Sequence, residues 1–187
     1  MDIDKTLRDL SLLAARLALG GTMAAHGAQK LFGAFGGPGP EKAAQMMKSL
    51  GFQDHDRVAT MASATELASG SLIALGALGP IGPAMLAGVM FVAIETVHRP
   101  KGYWNSQGGF EMNTMFIMLA LLLANQGYGS LSIDELLGLN RRMRPSFAWL
   151  AMLGSVAAAV GILGQRETLS QTTRGEMPAG EQTKSPA

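Results

Sequence analysis

Cysteine is absent from the 187 residues. That excludes a disulfide, a thiolate-held metal and any dithiol redox chemistry carried by the chain itself. Charge is scarce as well, at 16% of residues against 48% hydrophobic, more apolar than a soluble core of this length needs. A formal net charge of +1 gives no electrostatic ground for binding nucleic acid. The chain also lacks a glycine-rich phosphate loop after a strand and a His-Glu-x-x-His pair. Its histidines, His26, His55 and His98, show no i, i+4 ligand spacing, and His55 sits between Asp54 and Asp56 as part of a solvated face. No metal site is expected.

What the chain does have is long apolar runs. Residues 10–35, 58–78, 81–98 and 110–126 are each expected to cross a hydrocarbon core about 30 Å thick, some of them tilted or extending past it. Residues 147–164 are expected to form a further C-terminal transmembrane helix, with an interfacial or hairpin segment as the competing reading. The expected fold is therefore all-α, an integral membrane four-helix bundle with that additional helix. Its parts are a bundle over residues 1–134, a basic linker plus the fifth helix over 135–164, and a disordered tail over 165–187. Glu41 to Leu50 reads as a short amphipathic helix, lying either in the membrane interface or as a surface loop helix. The mixed-charge N-terminus reads as the start of an uncleaved first helix. The cluster Arg141, Arg142 and Arg144 argues for a cytoplasmic end after the fourth helix, and so for a cytoplasmic N-terminus.

The stretch from Arg16 to Gly39 concentrates the chemistry. It is apolar, yet it carries Arg16, His26, Gln29 and Lys30 before the break Gly36-Gly37-Pro38-Gly39-Pro40. Arg16, Met23 and Lys30 fall on one helical face, with His26 one turn before Lys30. An ionisable group in hydrocarbon costs about 2.5–3.5 kcal/mol on insertion scales, so it normally turns inward and finds a partner. Arg16 and Glu66, each well inside its run, are the expected buried ion pair. His26, Lys30, His98 and Glu111 are the candidate catalytic residues, expected near one membrane face. The plainer alternative is that Lys30, His98 and Glu111 snorkel to the interface and that Glu95 flanks the headgroups.

Taken together, the chain resembles the DoxX family, the DoxD-like group of small bacterial integral membrane proteins. The resemblance rests on His26-Gly27-Ala28-Gln29-Lys30-Leu31-Phe32-Gly33, Gly36-Gly37-Pro38-Gly39, Glu66-Leu67 before Gly70, and His98 before Gly102-Tyr103. Gly108-Gly109-Phe110-Glu111 and Gly129-Ser130-Leu131-Ser132-Ile133-Asp134 complete the pattern. It implies a multi-pass protein of the bacterial cell (inner) membrane, with inward polar residues at Arg16, His26, Lys30, Glu66, His98 and Glu111. It also implies an oxidoreductase component of a membrane redox system, either quinone-linked or related to oxidative stress. A quinone would then be the cofactor, the lipid bilayer the surroundings and a redox protein the partner. Two other readings stand beside it: a non-enzymatic scaffold that recruits a redox partner, and a small-solute or proton pathway.

Overall fold

The structure, a computed structural model, describes residues 2–139, 145–164 and 166. Residues 140–144, with the arginine cluster, and the tail beyond 164 apart from Arg166 lie outside the described residues. Among the described residues seven α-helices follow in order: α1 (Ile3–Phe32), α2 (Gly39–Ser49), α3 (His55–Leu75), α4 (Ile81–Ala93), α5 (Glu111–Gln126), α6 (Ile133–Leu136) and α7 (Pro145–Leu163). A π-helical turn, Ile94–His98, carries α4 onward without a break in the chain's direction.

The first two runs shift at their edges for local reasons. α1 starts at Ile3 rather than Leu10 because the Asp2 carboxylate accepts from the backbone N–H groups of Asp4 and Lys5. It stops at Phe32 because Gly33 takes the left-handed conformation and its N–H closes on the Gln29 carbonyl. α3 occupies 55–75 rather than 58–78, ended by Gly76. α5 and the C-terminal helix fall within a few residues of their expected positions.

Four helices form a ring in the order α1, α3, α4, α5, each packed on its neighbours and with α5 returning to α1. Glycine sets the closest approach. A Cβ on Gly20 would lie 2.5 Å from both the Ala74 nitrogen and the Gly70 oxygen, and one on Gly27 would lie 2.7 Å from the Leu67 Cα. These contacts make α1 and α3 antiparallel and fix their register, as small residues do where membrane helices meet. Gly82 packs against Leu72 and Ile73, so α4 runs against α3 in turn. Leu19, Met23, Ile73, Leu86, Met90, Ala120 and Leu123 fill the centre.

Besides the short α6, α2 and α7 lie outside the ring. α2 docks on α3 through Ala43, Ala44 and Ala59, with Met47 packed against them. α7 packs on α4 and on α5, with Ala84, Ala87 and Met152 at the seam. Its outer side exposes Phe147, Trp149, Leu150, Leu153 and Val160. A continuous exposed apolar face of this size belongs in lipid. His55–Leu75, Ile81–Lys101 and Pro145–Leu163 are each long and apolar enough to cross a membrane. The molecule is an all-α membrane protein, a four-helix ring with an added C-terminal helix.

The glycine contacts give the first prediction. Gly20→Leu should force α1 from α3 and cost about 1–3 kcal/mol of overpacking. Gly21→Ala, with nothing within 4 Å of the added Cβ, should be neutral or slightly stabilising. Thermal unfolding of the purified variants in detergent checks the pair, and equal midpoints would contradict the register.

Candidate functional site

The inward face of α1 carries Asp9, Arg16, Met23 and Lys30, each seven residues from the last, and all but Lys30 are buried. Seven residues are nearly two full turns, so the four lie in one row along the helix. Each charge in that row meets a different part of the chain.

Arg16 is 2% exposed. Its guanidinium donates to the carbonyls of Tyr128 at 2.6 Å, Leu131 at 2.8 Å and Ala74 at 3.2 Å. Ala74 lies in the last turn of α3, where carbonyls lack helical partners and a cation is favoured. Gly76 must stay small: its φ is +66°, and a Cβ there would lie 2.8 Å from Arg16 Nη1. The fully buried Asp134 carboxylate accepts from the Leu78 and Gly79 N–H groups at 2.9 and 2.7 Å. The Tyr128 hydroxyl donates to the Gly79 carbonyl at 2.6 Å, and burial followed by Asp134 pushes that phenol above its ordinary pKa. Residues 127–134 thus fold back over this end of the ring and close it.

Asp9 reinforces the closure. Its carboxylate accepts from the Ser130 hydroxyl and, at 3.1 Å, from the Ser130 N–H. These two bonds hold its pKa below the usual 3.8.

The expected Arg16–Glu66 pair is not formed. Gly27 faces Leu67, so Glu66 is level with about residue 28, and Arg16 lies about 18 Å further along α1. Glu66, 4% exposed, is held by Lys30 instead, whose Nζ donates to Oε1 at 2.6 Å and Oε2 at 2.7 Å. The Lys30 side chain keeps a quarter of its surface exposed.

The four residues expected to cluster separate into two groups at the same end of the ring. His26 is exposed, one turn from Lys30 on α1. His98 Nδ1 donates to the Gly108 carbonyl at 2.7 Å, and the Glu111 carboxylate accepts from the Asn105 N–H at 2.9 Å. Both therefore pin the loop 99–110. That loop presents Trp104 and Tyr103 outward, and Tyr103 is stacked edge-on against Trp104 and Phe110. No hydrogen bond or ion pair joins any two of His26, Lys30, His98 and Glu111. Glu95 bonds Arg99 at 2.5 Å near the mouth of the loop. Among the described residues no three of His, Asp or Glu converge as a metal-binding group.

Sequence reasoning missed Asp9, Tyr128 and Asp134. Stepping back seven residues from Arg16 finds Asp9; Tyr128 and Asp134 leave no comparable signal, because their partners come from distant segments.

Lys30→Met should strand the Glu66 carboxylate and cost about 3–5 kcal/mol, Glu66→Leu less, and the double variant less than the sum. Arg16→Leu combined with Glu66→Leu should instead be additive. Midpoints of unfolding in detergent decide both, and coupling between positions 16 and 66 would contradict the geometry. For Asp9 the folded pKa lies below the unfolded one, so its stabilisation is full above about pH 4 and fades as pH falls through the folded value. The gap in unfolding midpoint between wild type and Asp9→Asn should therefore close in acid; a gap constant down to pH 2 would contradict this.

The DoxX family model matches residues 11–99, which hold Arg16, His26, Lys30, Glu66 and His98 but stop short of Glu111, Tyr128 and Asp134. An uncharacterized protein of Haemophilus influenzae is 28% identical over 93 residues, a match covering 50% of this chain and 60% of that relative. The chain thus spans about three fifths of the relative's length. No solved structure matches. The family model falls on α1 to α4 and their inward charges, so over residues 11–99 this membrane protein is similar to the DoxX family.

Proposed function

We propose that the protein is a multi-pass component of a redox system in the bacterial cell membrane, and that Lys30 and Glu66 receive the head of a quinone. The observation that supports this is the state of the Lys30 ammonium. It has three N–H donors, of which Glu66 takes two, and its side chain is partly open. One donor is left for a ligand carbonyl.

A quinone supplies the acceptance of electrons and protons at its two carbonyl oxygens. Lys30 would bind one oxygen and stabilise negative charge that develops there. Glu66 would fix the ammonium in place through both carboxylate oxygens. His26, exposed one turn away, would exchange protons with the surroundings. With no cysteine in the chain, the electrons would come from a partner protein.

The loop 99–110 supports a second reading. His98 and Glu111 hold it rigid while Tyr103 and Trp104 stand outward. A non-enzymatic scaffold would use such a surface to seat a redox partner.

Titration of the purified protein with a short-chain quinone analogue separates the two. Wild type should bind, Lys30→Met should lose about tenfold or more in affinity, and His98→Phe should change affinity little. Absence of binding to wild type, or equal binding in Lys30→Met, would leave the scaffold as the better account.

A further inference from the structure

A groove of about 440 Å³ runs between α3 and α7. The two helices both pack on α4 but scarcely on each other. α4 forms the floor through Met85 and Val89, with Met61 and Ala62 on one wall and Ala158 and Ile162 on the other. The tight seat of α7 comes from Gly88, where a Cβ would lie 3.1 Å from the Ser155 oxygen. At the Lys30 end Arg166 ties α7 to the loop before α3: its Nε donates to the Leu50 carbonyl at 2.8 Å, and its guanidinium lies 5.7 Å from the Phe52 ring centroid. The gap between α3 and α7 is thus a built feature, fixed at its floor and at one end.

Size decides the kind of occupant. Along α3 the groove extends from Val58 to Thr65, about 10 Å of helix. That length suits a stretch of extended hydrocarbon chain lying along the helices. Its lining is mostly apolar, and an empty gap would forfeit the dispersion contacts of that lining. A lipid chain fits these terms.

Charge decides the head. Asp54 and Arg57 both line the groove's mouth, 4.0 Å apart, with more than half of each side chain exposed. A pair so exposed contributes little by itself, so both charges can take new partners. Arg57 suits a phosphate. Asp54 would repel a purely anionic head but would accept hydrogen bonds from a primary ammonium. We propose that the groove between α3 and α7 is a phospholipid site, selective for a zwitterionic head bearing a phosphate and a primary amine, as in phosphatidylethanolamine. One acyl chain lies between the helices, the phosphate meets Arg57 and the ammonium meets Asp54. The site is separate from the Lys30–Glu66 pair and does not depend on the redox reading.

Native mass spectrometry of the full chain, titrated with phosphatidylethanolamine or phosphatidylglycerol in a mild detergent, tests it. Wild type should retain one phosphatidylethanolamine about fivefold or more in preference to phosphatidylglycerol. Arg57→Ala should lose the preference, and Ala62→Trp, which fills the groove, should lose retention of both lipids. Unchanged unfolding midpoints would show that both variants fold. Equal retention of the two lipids by wild type, undiminished retention by Ala62→Trp, or a quinone displacing the phospholipid from the groove would overturn the proposal.

Discussion

A charge inside hydrocarbon has no water to turn to, and the arrangement of this bundle follows from that constraint on one helix. α1 directs Asp9, Arg16 and Lys30 along a single inward row. Each had to be met by donors or acceptors brought from elsewhere in the chain. Asp9 is met by Ser130, Arg16 by three carbonyls, and Lys30 by Glu66. Because these partners come from α3 and from the segment after α5, satisfying α1 also fixes where those elements sit.

The two ends of the ring come out differently. At the Asp9 end Arg16, Asp134 and Tyr128 bond to backbone, and the segment 127–134 shuts the bundle. Such a network stabilises one arrangement. At the Lys30 end the ammonium is only partly covered, and His26 stands exposed beside it. The proposed ligand chemistry is placed at that end. The loop pinned by His98 and Glu111 borders the same end and presents its aromatic residues there. The groove between α3 and α7 adds a surface facing lipid rather than the ring interior.

Much of the fold was legible because hydropathy, glycine and capping are local signals. The runs that became α3, α4, α5 and α7 could be read from length alone, and Gly20 and Gly27 marked a close packing face. The partner of Arg16 was not legible. Opposite sign pointed to Glu66, yet an arginine can be met as well by carbonyls, which every residue carries and no sequence pattern marks. The antiparallel register decides the matter, since it places Glu66 level with the last turns of α1 and leaves Arg16 beside the end of α3. The partners of His98 and Glu111 were not legible for a similar reason: they are backbone groups of the loop between the two residues.

The central claim is that α1's two inward cations have different kinds of partner, a carboxylate for Lys30 and backbone carbonyls for Arg16. Solid-state NMR of the protein in bilayers, with ¹⁵N in the lysine and arginine side chains and ¹³C in the glutamate carboxylates, measures this directly. Strong dipolar dephasing of Lys30 Nζ by the Glu66 carboxylate is predicted, as the 2.6 and 2.7 Å contacts require, with none of the Arg16 guanidinium. Dephasing of Arg16 by a glutamate carboxylate, with Lys30 unaffected, would contradict the account.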